Sequence, residues 1–540
     1  MLSGLNRLSF ALLAVLALLS LFGKKRPAAP LPRWEKALLW GVILALSALR
    51  LYRFGAVPAG MNQDGAMAAV DALALAQHGT DRFGTWLPAH FTAWGYGQMS
   101  VLLSYCMVPF LRLFGLSAVT ARLPMLLWSF AGMAAAYSFL RAAISERAAL
   151  VGLLFLSVDP WHFMQSRWAL DCNLFPHLFL IGFALLYEGR KRPWALYLSM
   201  VPFALCMYSY GVSFLMVPLF LVLAVLTLRI PFRRVLLCVG LYLGLSWAIY
   251  GTMLINAMGW EGLSLPFVTL PYFPASVRAN DLLFFSTDVL FQLRQNLRAL
   301  WRVGFLQSPD LIWNAIDGFG TVYLCSAPLL LLGLHRCVRS AVREKNAAAR
   351  LLLLYWLCGL FLGLCVDNVN VNRLNILFYA NSLLIVQGME GLLSFRRESA
   401  AALLACYGLL AGLFFTQYFS SWAKQMESVF YADFLDAVSW AGTLDSEQYY
   451  ITPDTQFTGS ANVSEILTLF ALKTDALYFQ GKTSDPLPYA LRFHYRNPDW
   501  PALAGEPSVA CVVRSGVDVP GGWDCRSFGS YCVIYKEGEP

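Results

Sequence analysis

From residue 8 to residue 419 apolar runs recur at short intervals, and that recurrence limits the chain to very few folds. A run of roughly 20 apolar residues crosses the hydrocarbon core of a bilayer as a helix. Runs fall at 8–22, 36–52, 118–140, 148–158, 174–187, 194–207, 212–228 and 235–256, and then at 321–334, 351–366, 374–393 and 400–419. With 58% hydrophobic and 13% charged residues among 540, the chain is too apolar for a soluble protein of this size. It reads as an all-α polytopic membrane protein of about 11 to 13 spanning helices.

Charge gives an orientation. Basic residues cluster in alternate connectors: Lys24, Lys25, Arg26, Arg33 and Lys36; Arg141 and Arg147; Arg190, Lys191 and Arg192; Arg229, Arg233 and Arg234; Arg336, Arg339, Arg343, Lys345 and Arg350; Arg396 and Arg397. The positive-inside rule makes these cytoplasmic. Connectors 53–117, 159–173, 257–320 and 367–373 then lie outside, as does everything after Tyr418. This alternation requires that 99–114 lie along the outer surface and not cross. The first run precedes a basic cluster with no small-residue cleavage site, so 1–35 is expected to be an uncleaved anchor and linker.

The segment 419–540 differs in kind. It carries 8 Lys/Arg against 15 Asp/Glu, while the rest of the chain is strongly basic. Residues 448–452 and 531–535 read as strands, and 462–473 as a helix with Ser464 or Asn462 near its cap. A small α+β extracytoplasmic domain is expected there. Most cysteines sit singly inside apolar runs, and Cys525 and Cys532 are a candidate disulfide pair. Neither a nucleotide-binding glycine loop nor metal-ligand spacing occurs, and no nucleic-acid partner is expected.

The connectors assigned to the outside are not bland. Residues 60–98 hold Asp64, Asp71, His78, Asp81, Arg82, His90, Trp86, Trp94 and Tyr96. Carboxylates, imidazoles and flat rings at a membrane surface suit a polar substrate such as a sugar. A helix is expected over 65–77, with Asp64 as base or cap and Asp71 as a solvated charge on the same face. Residues 157–176 hold Asp159, His162, Gln165, Arg167, Asp171 and Asn173. There Gln165, Arg167 and Asp171 are expected on neighbouring turns of a short helix, with Arg167 and Asp171 a candidate ion pair. Arg294 and Arg298 lie one turn apart on an amphipathic stretch suited to the outer leaflet. Arg373 opens a run beside four asparagines in DNVNVNRLN. Up to Arg373 the outer connectors contain arginine but no lysine, and the arginine fork binds phosphate bidentately.

Taken together, these residues resemble the C-type membrane glycosyltransferase superfamily, in the branch of protein O-mannosyltransferases and lipid A aminoarabinose transferases. The resemblance spans roughly 36–395. It is carried by Asp64 after a span, by Phe114-Gly115 followed by Ala121-Arg122-Leu123-Pro124, and by Gln165-Ser166-Arg167 with Leu170-Asp171. It implies a bundle with a large transferase domain over 36–418. It also implies transfer of a sugar from a polyprenyl-phosphate carrier to a protein, lipid or glycan acceptor at the outer face. Asp64 would be the base and Asp171 a second catalytic carboxylate. Gln165, Arg167, Arg373, Arg294 and Arg298 would serve substrate and phosphate, and Trp86, Trp94 or Tyr96 would stack on sugar. Two departures stand out. Gly65 replaces the acidic residue that usually follows the first Asp, so no metal site is expected there, and Gly97-Gln98 replaces a basic residue. A lipid transporter or flippase, or a glycan polymerase or ligase, is the competing expectation.

Overall fold

The computed structural model describes residues 2–23, 31–95, 97–273, 288–308, 310–367, 369–396, 398–455, 459–484 and 487–536. Tyr96 and Arg278 lie outside these residues. Among the described residues six helices are long and apolar enough to cross a membrane. They are α1 (Leu2–Phe22), α5 (Ala118–Ala143), α12 (Phe232–Met258), α15 (Ala347–Cys365), α17 (Ile376–Phe395) and the continuous rod Glu398–Val429. That rod consists of α18 (Glu398–Gln417), a π turn at Tyr418–Trp422 and α19 (Ala423–Val429), so it runs past the boundary expected at 419. Shorter apolar helices complete the bundle: α2 (Arg33–Leu49), α6 (Glu146–Val158), α8 (Leu174–Glu188), α9 (Pro193–Leu198), α10 (Met200–Cys206), α11 (Ser213–Leu228) and α14 (Ala327–Val342).

The centre of the bundle is α17, almost wholly buried. It crosses α14 at paired glycines: a Cβ on Gly333 would strike the Leu384 carbonyl, and one on Gly388 the Leu329 carbonyl. Small residues let two backbones approach where lipid offers no hydrophobic drive for association. At the end bearing the basic connectors, Arg147 holds Glu390 at 2.5 Å and Lys36 holds Glu146 at 2.5 Å.

The opposite end carries the shorter elements. Helix α3 (Gln63–His78) is alanine-rich and buried on all sides from Gly65 to Leu75. Small side chains let it lie between α4 (Leu102–Phe114) on one flank and α21 (Ala461–Ala471) on another. Gly79 ends it in the left-handed conformation, its N–H returning to Leu75 O. At 13 residues α4 is about 20 Å long, short of a ~30 Å hydrocarbon core. Two small hairpins, β1 (Phe91–Thr92) with β2 (Gln98–Met99) and β3 (Leu263–Leu265) with β4 (Val268–Leu270), lie nearby, together with α7 (Pro160–Gln165), α13 (Val289–Gly304) and α16 (Val371–Leu374).

The C-terminal domain is α+β. Its sheet has the order β6-β5-β7-β9-β8, with β5 (Gln448–Ile451), β6 (Phe493–His494), β7 (Val509–Arg514), β8 (Asp524–Phe528) and β9 (Tyr531–Tyr535). β5 runs parallel to β6 and β7, and the remaining pairs are antiparallel. Helix α20 (Ala432–Ala441) packs on the sheet, and α21 is capped by Ser460, upstream of the expected cap. Cys525 and Cys532 lie on adjacent strands, in register with Ile534 and Ser527, and both are free thiols.

Candidate functional site

The backbone from Arg50 to Met61 leaves α2 and enters α3 through irregular turns. Irregular backbone buried at a membrane boundary needs donors for its carbonyls, and two buried arginines, Arg122 and Arg167, supply them. Arg122 donates to Gly55 O, Pro58 O and Gly60 O at 2.9, 2.8 and 2.6 Å. Arg167 donates to Arg50 O, to Tyr52 O at 2.8 Å and to Val57 O at 3.1 Å, and its Nε to the Tyr418 hydroxyl at 3.1 Å. Arg50 reaches Leu156 O, His162 O and Ser166 Oγ. Arg167 is therefore a fully buried clamp on the loop that delivers Asp64, not an open phosphate ligand. The short helix expected through Gln165, Arg167 and Asp171 ends at Gln165. Residues 166–170 are irregular, and Asp171–Asn173 form a 3-10 turn.

Asp64 stands at the mouth so formed. Trp94 donates its indole N–H to Asp64 Oδ1 at 2.7 Å. A cavity open to solvent is lined by Asn62, Gln63, Asp64, Trp168, Leu170, Trp313, Asn372, Val429 and Phe430. Five separate chain segments thus meet at one carboxylate. The crossing beneath it is tight. Met61 N–H donates to Phe430 O at 2.7 Å, and a Cβ on Gly60 would collide with that same carbonyl. Gly60 has φ +78° and Tyr431 φ +53°, so both strands bend sharply where they meet.

Asp71 is not a solvated charge. It is fully buried, binding Arg82 Nη1 at 2.5 Å and Arg82 N at 3.0 Å. Burial pushes its carboxyl up to about 7, against the pull of Arg82. Asp81 caps the adjoining turn by accepting from Phe83 and Thr85 N–H, and burial raises it too. Asp64 and Asp71 both lie on α3, one buried against Arg82 and the other half-buried beside the cavity.

Asp171 is buried and accepts the Cys172 N–H at 2.7 Å, beside the first turn of α3. Gln165 belongs to a buried hydrogen-bond chain whose direction is fixed by its ends. Arg50 can only donate to His162 Nδ1, at 3.0 Å; His162 Nε2 then donates to the Tyr379 hydroxyl, 2.8 Å. Tyr379 donates to His177 Nδ1, 2.8 Å, and His177 Nε2 to Gln165 Oε1, 2.9 Å. Both imidazoles are held neutral in defined tautomers. Gly132 gives the chain room, since a Cβ there would meet Tyr379 and His177.

Arg294 and Arg298 are exposed on α13, which docks through Asn296 onto Leu364 O and Val366 O at 2.8 Å each. Arg373 is half-buried on α16, donating to Asp367 O, and directly follows the cavity residue Asn372. Trp86 is directed away from the cavity, donating to Pro266 O at 2.9 Å. Sequence reasoning missed Asn62, Trp168, Trp313 and Phe430. Trp168 and Asn372 fell inside segments already singled out, whereas nothing local marks Trp313 or Phe430. Among the described residues no three His, Cys, Asp or Glu cluster as metal ligands. At position 65 a Cβ would lie 2.7 Å from Ala169 O and 2.6 Å from Asn62 Oδ1, so the backbone itself leaves no place for a second carboxylate beside Asp64.

Residues 98–251 match the family model described as dolichyl-phosphate-mannose-protein mannosyltransferase, from β2 into α12. No curated protein matches the chain. Among solved structures, ArnT from Cupriavidus metallidurans in the apo state is similar in fold, with TM-score 0.56 and 13% identity over 93% of this chain and 98% of that one. The same protein bound to undecaprenyl phosphate gives TM-score 0.58 and 13% identity over 94% and 100%.

Proposed function

We propose that this chain, whose fold is that of the C-type membrane glycosyltransferases, moves a sugar from a polyprenyl-phosphate carrier to an acceptor hydroxyl, with Asp64 as general base. The observation that carries the reading is Asp64 itself: one carboxylate, steadied by Trp94, at the mouth of an open cavity with aromatic and amide walls. The donor class is supported by the structural likeness to a protein solved with undecaprenyl phosphate and by the polyprenyl carrier in the matched family's name.

Asp64 accepts the proton of the acceptor hydroxyl as its oxygen attacks the anomeric carbon. The bond from that carbon to the carrier phosphate breaks, and the phosphate leaves as the anion. A single displacement inverts the anomeric centre. Charge on the leaving phosphate is met by Arg373 beside the cavity, with Arg294 and Arg298 on the neighbouring α13. Asp171 supports the turn that carries Trp168 and Leu170. The position of the basic connectors at the other end of the bundle, with the positive-inside rule, supports an extracytoplasmic cavity and C-terminal domain.

The test is transfer in proteoliposomes from a panel of labelled polyprenyl-phosphate sugars. Wild type is expected to transfer one of them, and Asp64→Asn to lose about 10²- to 10⁴-fold of that rate. Equal rates would remove Asp64 as the base. No transfer with any donor, together with accumulation of an untranslocated lipid in cells lacking the protein, would favour a transporter.

A further inference from the structure

The cysteines of the C-terminal domain, Cys511, Cys525 and Cys532, share one face of its sheet. Cys525 on β8 stands opposite Ile534 on β9, and Cys532 on β9 stands opposite Ser527 on β8. Residues directly opposite project to the same face, and so do residues two apart on one strand. Cys525 and Cys532 are therefore diagonal neighbours on that face. Cys511 on β7 also stands opposite Ile534, and so has the same relation to Cys532 from the other side of β9.

Their surroundings separate them. Cys511 and Cys532 belong to a buried cluster with Tyr450, Leu503, Val509 and Ile534. Cys525 is exposed, on the edge strand of the sheet. The Cys532 thiol also touches that of Cys525, and burial together with this contact pushes it up to about 11. A reagent in water reaches Cys525 but not Cys511, which is 0% exposed.

The hairpin is fixed at its turn and loose at its open end. At the turn, Ser530 N–H donates to Asp433 Oδ2 on α20 at 2.8 Å, and a Cβ on Gly529 would strike that same carboxylate. At the open end, Asp524 to Ser527 are exposed, and β8 pairs with β9 alone. Diagonal positions stand farther apart than opposite ones, so an S–S bond between them draws β8 along β9. An edge strand can give way to that pull. The bond so formed is strained, and strained disulfides are the readily reduced ones.

We propose that Cys525 and Cys532 are a thiol–disulfide exchange site, oxidised reversibly to a bond that pins β8 to β9. The co-reactant is a small disulfide such as glutathione disulfide. The Cys525 thiolate attacks one of its sulfurs, the oxidant's S–S bond breaks, and one glutathione leaves as thiol. The Cys532 thiolate then attacks the Cys525 sulfur and releases the second glutathione. The protein gives up two electrons and two protons, and the oxidant gains both. An oxidising compartment suits this exchange and agrees with the extracytoplasmic side proposed for the domain.

Full-length protein in detergent would be treated with glutathione disulfide, its remaining thiols alkylated, and its peptides mapped by mass spectrometry. The expected course is an early glutathione adduct on Cys525, then a Cys525–Cys532 cross-link with Cys511 left as the thiol. Reduced glutathione is expected to reopen the bond. Cys525→Ser, a change at an exposed position, is expected to abolish the cross-link and return Cys532 as free thiol. A Cys525 adduct that persists beside a free Cys532 would overturn the proposal, as would a bond from Cys532 to Cys511. A cross-link that reduced glutathione leaves intact would overturn its reversibility. Membranes alkylated at the moment of lysis are expected to contain the cross-linked peptide, and a wholly reduced pair there would overturn the assignment in the cell. None of these readouts depends on sugar transfer, so they stand or fall apart from the reading of Asp64.

Discussion

Arginine without lysine in the outer connectors was legible in the sequence, but its reason was not. Phosphate and unpaired backbone carbonyls make the same demand, several oxygens to be met by one planar fork. Arg122 and Arg167 answer the second demand, and Arg373, half-buried beside the cavity, also meets a backbone carbonyl, that of Asp367. Asp71 shows the same ambiguity. Its spacing from Asp64 suggested a shared face, but only tertiary packing decides that one carboxylate is buried on Arg82 and the other half-buried at the cavity. The burial of Asp71 has a consequence for pH. Its carboxyl is raised to about 7 when folded, against about 4 when unfolded. Between those values the folded state binds a proton that the unfolded state has lost, so this group's contribution to stability falls as pH rises from about 4 to about 7 and levels off above. Melting temperatures in detergent are expected to show wild type losing ground to Asp71→Asn across that window. A wild-type minus variant difference that stays flat from pH 4.5 to 7.5 would contradict the assignment.

Helices and strands with a clear period were readable: α3, α21, β5 and β9 fall close to their expected places. The stretch from Asp159 to Asn173 was not: α7 ends at Gln165, Arg50 holds His162 O and Ser166 Oγ, and a 3-10 turn at Asp171–Asn173 stands where the helix was expected. The helix of the last apolar run continues beyond residue 419, to Val429. A π turn at Tyr418–Trp422 lets the helix pass a polar boundary without breaking. Position 65 is where sequence and packing meet most sharply. Gly65 looked like a lost carboxylate, yet it sets how closely α3 approaches the 168–170 turn. A Cβ would sit 2.7 Å from Ala169 O, closer than real contacts allow. Gly65→Ala is therefore expected to lower the unfolding temperature and to depress transfer together, with Gly65→Glu worse, by roughly 1–3 kcal/mol for the overpacked contact. Unchanged stability with raised activity in Gly65→Glu would mean that the site can accept a second acid after all.

The C-terminal domain is not a tail hung on a bundle. Helix α21 packs on α3, Asp475 holds His78 at 2.8 Å, and Gln480 donates to Arg82 O at 3.2 Å. The exposed pair contributes little, because water screens it; the apolar seat on α3 contributes most. A chain ending after Val429 loses Phe430 from the cavity wall and bares the buried alanine face of α3. It is expected to be poorly recovered as a monodisperse species in size-exclusion chromatography and inactive in transfer. A truncated protein that is monodisperse and active would show the domain to be dispensable. The bond from Met61 N–H to Phe430 O ties together two parts of the chain made at very different times. During synthesis the segment that bears Asp64 leaves the ribosome long before its partner exists. Until the last rod is inserted and Phe430 arrives, the loop before α3 lacks this partner, so the seat of Asp64 is completed only when most of the chain has been made.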